Sequence, residues 1–429
     1  MTIRFAVPVL AVLMNSNALP AAAADFSVSG FGTLGYARSD QPYTYQRFID
    51  DSGTFRRDSI AGLQVDARFA NEFGATVQIK AAPASANDRQ YEGTVSWAFV
   101  SYRPTNDWLI RAGKQRIPLY LYSETYDVGA TYDFARLPTE MYSIVSSNDF
   151  TGLSFSKSWR AKDGDLSLDG YWGESRNDFR YWLRDSIPTV QSSGAKFASL
   201  DFKGGGLVMS YKGQDHALRI GVHRALVKAS NGQPLLKTFP FVSVAPGVGY
   251  YQVDASLPGP GVPMVNSVTN TTVTLGIEFG LPVDIRVVSE FASSVLKDSD
   301  SPPQGRRGYA SLLKRFGKWR PYVTYAFLRS PAHQRDFYNK VNDNTVPDFI
   351  PGAAQINASQ RAGADQIFAF DQSSWAVGSS YSFSAASKIK AEYMRTHIGD
   401  ASKLVDAPSG SNIRNQNINV FSLSYSVVF

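Results

Sequence analysis

The chain closes with NVFSLSYSVVF, residues 419–429, and this stretch alternates strictly. Phe421, Leu423, Tyr425, Val427 and Phe429 fall on one face, while Val420, Ser422, Ser424, Ser426 and Val428 fall on the other. A period of two belongs to a strand whose two faces meet different surroundings. Five apolar residues along one face need a cover, either another layer of protein or lipid. The same alternation recurs along the chain. Ala61, Leu63, Val65, Ala67 and Phe69 carry it, as do Phe73, Ala75, Val77 and Ile79. Val95, Trp97 and Phe99 follow, then Trp108, Ile110 and Ala112. Further alternating segments bring the predicted total to sixteen strands, or eighteen if AKFASLDFK (195–203) is a separate strand with a partner.

The connections order these strands. Short links at 71–72, 104–107, 161–164, 213–216, 281–282, 317–318 and 384–387 alternate with long ones. The long ones run at about 38–57, 82–93, 116–149, 175–204, 228–268, 295–306, 330–371 and 399–415. Short turns at one end and long loops at the other are the two ends of a transmembrane antiparallel β-barrel. Phe69, Phe73, Trp108, Trp159, Phe279, Phe316, Trp319 and Phe383 flank the short links. An aromatic ring at one membrane–water boundary accounts for that clustering. Mean hydropathy is −0.21, a soluble-looking value. In a barrel this is expected, because only alternate strand residues face lipid.

The N-terminus adds a compartment. A charged start (Met1–Arg4), an apolar run (Phe5–Met14) and the small-residue stretch ALPAAAA lead to Asp25. This is the layout of a secretory signal, so residues 1–24 are predicted to be removed and 25–429 to form a single barrel domain. The full chain has 43 basic and 37 acidic residues and no cysteine. The mild excess of positive charge comes in no long basic block, so nucleic acid is not an expected partner. Disulfides and thiolate metal sites are excluded.

Three enzyme-like features fail on context. Gly30, Gly32 and Gly35 spell G-x-G-x-x-G, with Asp50 and Asp51 downstream, but polar YARSDQPYTYQ follows where a nucleotide fold needs an amphipathic helix. The four histidines (His216, His223, His333 and His397) are scattered, and neither a zinc nor an EF-hand spacing occurs. No G-x-S-x-G accompanies His223. No enzyme activity, cofactor or metal is expected.

Two segments resemble a known family. RAGKQRIPL (111–119) is similar to the strand end that leads into the third loop of the sixteen-stranded Gram-negative outer-membrane porins of general-diffusion type, and FSLSYSVVF to their closing strand. The resemblance implies an outer-membrane homotrimer that passes small hydrophilic solutes across the lipid bilayer, with a third loop, about 116–149, folded into the pore. It also implies that Tyr425 and Phe429 are read by the barrel-insertion machinery. The family's Pro-Glu-Phe-Gly-Gly stretch is absent from loop three, which reads YLYSETYDVGATYDFARLPTEMYSI, so the constriction does not carry over residue by residue. No plug domain or coiled-coil arm is read ahead of the first strand.

With the apolar faces turned outward, the lumen is expected to receive basic Lys80, Arg111, Arg219, Lys314 and Lys390, together with Gln78, His223 and Glu392. Charge at mid-depth on the lipid face costs about 2–4 kcal/mol, so inward is the natural orientation. Loop three adds Glu124, Asp127, Asp133 and Glu140, which either oppose the wall cations across a narrow slot or are solvated or bonded to the wall. Basic lumen residues outnumber acidic ones, which predicts a mild anion preference. The alternatives are a non-conducting surface barrel acting as receptor or adhesin through loops such as 228–268 and 330–371, or a gated substrate-specific channel.

Overall fold

The computed structural model describes residues 25–69, 72–144, 149–186 and 191–429. The predicted leader, 1–24, lies outside them. Alternation builds twenty strands: β1 (Asp25–Ser39), β2 (Ile60–Arg68), β3 (Phe73–Pro83), β4 (Tyr91–Thr105), β5 (Trp108–Arg116), β6 (Asp149–Ala161), β7 (Gly164–Leu183), β8 (Gly194–Gly213) and β9 (His216–Ala229). Then come β10 (Leu235–Leu236), β11 (Phe241–Ala245), β12 (Val248–Tyr251), β13 (Met264–Val265), β14 (Val268–Leu281), β15 (Ile285–Lys297), β16 (Gly305–Lys314), β17 (Trp319–Arg329), β18 (Asp371–Ser382), β19 (Ser387–Ile398) and β20 (Gln416–Val428). The four short strands β10–β13 pair into two hairpins within one long loop, and the other sixteen close an antiparallel barrel, β1 pairing with β20. All backbone groups in such a barrel find partners between strands, which is what crossing lipid requires.

The outer face is apolar. Val28, Leu34, Leu153, Leu207, Val377 and their neighbours stand exposed on alternate positions, a surface far larger than soluble proteins tolerate. All eight aromatics expected around the short turns are exposed as well. The seam explains the decoy glycines. Gly30 and Phe429 exchange backbone hydrogen bonds of 2.8 and 3.0 Å. The Phe429 ring occupies the space a Gly30 Cβ would take, 2.3 Å from it, so glycine lets the closing ring lie flat on β1, from which a larger residue would displace it.

Three strand expectations change. Trp97 and Phe99 face the lumen, because the register passes from Gln78↔Trp97 to Ile79↔Val95, leaving Ser96 as an unpaired bulge that switches the strand's face. The segment 195–203 is no separate strand but the upper part of β8, which pairs with β7 up to Gly194↔Leu183. Lys314 does not face the lumen. It shares the outward parity of exposed Leu312, while Tyr309, Ser311 and Leu313 point inward and are buried. Tyr309 and Leu313 are apolar residues on the inner face because loop three covers them, which inverted the pattern read from sequence.

Beyond Glu174 the strand β7 has no partner in β6, and above Leu200 β8 has none in β9, so beyond Asn177 β7 and β8 continue as a two-stranded ribbon. The ribbon reaches the loop between β19 and β20 on the far side of the barrel. There Arg180 meets Asp406 at 2.6 Å and the Trp182 indole donates to the Ala407 carbonyl at 2.9 Å. The loop 330–370 contributes helices α2 (Ala332–Asp343) and α3 (Ala353–Asp365), after a short α1 (Thr139–Tyr142) in loop three. Tyr338, Val341 and Ile356 of these helices bury against Tyr250 and Val253, forming an apolar cap at the loop end of the barrel.

Candidate functional site

The site is the lumen at the level of loop three. Arg116 ends β5, and Pro118, without an N–H to give the ladder, ends the strand pairing. Arg219 on β9 donates to the Pro118 carbonyl at 2.8 Å and turns the chain inward. The loop then crosses to the wall opposite β5. Tyr120, Phe134, Leu137, Met141 and Tyr142 pack on Val288, Tyr309, Leu313 and Tyr322 of β15–β17. Each buried Phe, Leu or Met side chain contributes about 1.5–3 kcal/mol to holding the loop there. The Leu121 N–H and the Tyr142 hydroxyl both donate to Glu290 on β15.

Ion pairs fix the remaining contacts. Asp127 accepts from Lys80 of β3 at 2.9 Å and from buried Arg116, which also faces Asp149 at 3.2 Å. Burial pushes the Asp127 carboxyl up, but Arg116 and Lys80 together outweigh it and hold it below the usual carboxylate value. Asp133 accepts from Arg320 at 2.8 Å, Lys388 at 3.0 Å and the Ser380 hydroxyl at 3.0 Å. Burial again acts upward there, and Lys388 with Arg320 reverses it. Arg136 forks onto both oxygens of Asp58, in the loop between β1 and β2, and reaches Gln46 Oε1 at 3.0 Å. Glu140 accepts from neutral groups, Gln372 at 2.9 Å and Ser374 among them, and burial raises its carboxyl.

No family model matches this sequence, and no curated protein matches it. Solved structures do match in shape. OmpT of Vibrio cholerae, an in-vitro folded outer membrane protein in trimer form, superposes with a TM-score of 0.51 at 12% identity, covering 95% of this chain and 100% of its own. The outer membrane channel DcaP of Acinetobacter baumannii gives 0.51 at 11% identity, over 95% and 97%. Pseudomonas putida OprB gives 0.51 at 9% identity, over 95% and 94%. The fold is that of the Gram-negative outer-membrane porins.

Within this porin fold the predicted residues distribute as follows. Gln78 bonds to Gln64 at 2.8 Å on the inner face, beside Lys80. Arg111 is inside, but it lies over the Phe99 ring at 5.2 Å rather than facing a loop acid. Lys390 is buried, donates to the Gly129 carbonyl at 2.8 Å and sits 4.4 Å from the Tyr132 ring centroid, and Glu392 accepts from the Tyr322 hydroxyl at 2.8 Å. His223 is buried between the Tyr171 hydroxyl at 2.9 Å and the Thr274 hydroxyl at 3.4 Å. Glu124 is exposed. Lys314 is apart from all of these, bonded to the Val283 carbonyl beside a short turn. Tyr425 and Phe429 lie on the outer face, 44% and 75% exposed. Among the described residues no cluster of three or more His, Asp or Glu is arranged to hold a metal ion.

Sequence reasoning missed Arg116, Arg136, Asp58, Arg320 and Lys388. Lys388 was within reach, since it shares the alternation of Lys390. Arg136 pairs with a residue 78 positions earlier, a contact no local pattern encodes. Beside the loop lies a polar cavity of about 410 Å³. Arg47, Arg57, Lys80, Arg136, Arg180 and Lys403 line it against only Asp58, Asp127 and Asp178.

Proposed function

We propose that this chain, after removal of residues 1–24, is an outer-membrane channel for passive diffusion of small hydrophilic solutes and ions, with a mild preference for anions. The porin fold supports the channel. The preference rests on one observation, the six cations against three carboxylates that line the polar cavity; Arg47 and Arg180 also pair with Asp88 and Asp406, and Lys403 with Asp365, behind that lining, which keeps the preference mild. A low-dielectric wall carrying one excess sign concentrates the opposite ion. The loop-three acid at this cavity, Asp127, is already counted among the three carboxylates. A homotrimer is the proposed assembly, in line with the resemblance and with the trimer form of the Vibrio barrel. Insertion through the C-terminal strand, with Tyr425 and Phe429 as its signal, is proposed on the same resemblance.

The test is current through the purified barrel in a planar bilayer under a potassium chloride gradient. Long-lived steps in groups of three and a reversal potential on the chloride side are the expected result. A cation-selective reversal potential at neutral pH overturns the preference. A correctly inserted but silent barrel overturns the channel.

A further inference from the structure

A second cavity, of about 320 Å³, lies inside the barrel toward the long loops, and its character differs from the first. Its walls carry Phe150, Tyr171, Phe179, Tyr181, Phe202 and Phe368, from β6, β7, β8 and the segment after α3. The rings are ordered rather than collapsed into the space: Phe150 and Tyr171 meet at 5.0 Å between centroids, and Phe179 and Phe368 at 4.5 Å. Of the charged residues on its lining, Glu174 and Arg224 are exposed, Glu174 being paired with Lys203, and the buried one is Arg307 of β16. Arg307 is only 5% exposed, and its three hydrogen bonds all go to hydroxyls, two to Tyr120 and one to Ser294. Among the described residues none goes to a carboxylate. A guanidinium has five N–H donors, so two are left without one of these partners.

A buried cation without an anion is costly, and a site that keeps one is complementary to a ligand that supplies the anion. The aromatic walls demand that the rest of the ligand be flat and apolar. We infer that this vestibule binds a small aromatic monocarboxylate, its ring among Phe179, Phe202 and Phe368 and its carboxylate on Arg307. A cavity of about 150 Å³ already admits benzene, so one or two fused rings fit the available space. A neutral sugar leaves Arg307 unanswered, and a dicarboxylate puts a second charge among the rings. The site deepens the channel reading and rests on it for the ligand's way in and out.

Sodium benzoate is the probe, with acetate and benzyl alcohol as the controls that lack the ring or the charge. Each is titrated against the open-channel current of the full barrel in a planar bilayer, and against the detergent-solubilised barrel by calorimetry. The expected result is a saturable benzoate block near millimolar concentration, with acetate and benzyl alcohol at least tenfold weaker. Arg307→Met raises the half-blocking concentration at least tenfold. Phe368→Ala raises it as well, and gives an independent arm should the first variant fold poorly. Conducting steps that benzoate leaves unblocked, with no calorimetric saturation, overturn this inference while the channel stands. A silent barrel overturns the channel instead, and calorimetry then still decides the site: benzoate binding at least tenfold tighter than acetate supports it, and equal binding overturns it.

Discussion

Asp127→Asn tests the electrostatic argument at its most exposed step. The substitution keeps the shape of the side chain and removes one negative charge from the polar cavity, leaving six cations against two carboxylates. A unit charge about 8 Å from a passing ion in water changes its energy by about 0.5 kcal/mol. Anion and cation shift in opposite directions, so their ratio moves by about 1 kcal/mol, or about fivefold without screening. At 0.1 M salt the Debye length is about 10 Å and the factor falls to about twofold, while at 1 M, with about 3 Å, it nearly vanishes. The assay is the reversal potential of single channels under a fixed gradient, repeated at these two salt concentrations. The variant's potential should move further toward chloride at 0.1 M and match the parent at 1 M. A second consequence follows from burial, because the Arg116 side chain is only 3% exposed and keeps Asp149 alone at 3.2 Å. Removing one member of a buried pair costs up to about 3–5 kcal/mol, so loop three docks less firmly and open-channel noise rises. A potential at 0.1 M that stays put or moves toward potassium refutes the reasoning, whatever the noise does.

Other residues give contrasting outcomes. Lys314→Gln should leave the reversal potential unchanged, since Lys314 faces outward at a short turn; a shift comparable to that of Asp127→Asn would return it to the lumen. Arg136→Gln strands Asp58 and unties loop three from the loop between β1 and β2, and should lower the unfolding midpoint by an amount consistent with about 3 kcal/mol, read by heat-dependent gel migration. Gly30→Val places carbon where the Phe429 ring sits, so the fraction of closed, heat-resistant barrel should fall modestly, since the exposed terminal ring can turn aside, and Phe429→Ala in the same chain should restore it. Asp127 and Asp133 are held below 3.8, so their anchoring is complete above that value and is lost only as pH falls through their lower folded values. The extra noise of Asp127→Asn over the parent should therefore persist unchanged between pH 7 and pH 4 and shrink only in stronger acid; a difference already lost at pH 5 contradicts the anchoring role.

The barrel was legible because lipid imposes a period of two and the turns announce themselves by length. Where the surroundings of a strand changed, the pattern misled. Tyr309 and Leu313 are apolar yet face inward, because loop three gives the inner wall of β15–β17 a second apolar layer. That one fact turned Lys314 around. Ser96 shifted β4 by a residue and turned Trp97 and Phe99 inward, and nothing in the composition of a bulge sets it apart from ordinary strand. The ribbon of β7 and β8 was taken for a loop because above Asn177 it has no lipid face, and its residues alternate between charge and ring instead. In the site, Lys80 and Asp127 could both be picked out from their elements. Their meeting at 2.9 Å depends on how a loop of more than thirty residues folds, and that is set by contacts with four different walls.

The contacts that fold the loop also set the sign of the field. Asp127 and Asp133 carry the negative charge of loop three into the lumen, and each is spent on two cations of its surroundings. What remains for a passing ion is the excess on the lining, which is positive around the polar cavity and is reduced by Asp88, Asp406 and Asp365, paired to Arg47, Arg180 and Lys403 behind it. Rigidity and selectivity are therefore one property here. Removing a loop acid loosens the loop and strengthens the anion preference together, while removing Lys80 or Lys388 loosens the loop and weakens the preference. A paired substitution separates the two effects. Lys80→Gln with Asp127→Asn deletes both charges of one bridge, so the net charge stays at its original value while a loop contact is lost. That double variant should be noisy with the parent's reversal potential. If its selectivity follows its noise instead, the aperture rather than the charge sets the preference, and the cation excess around the cavity is incidental.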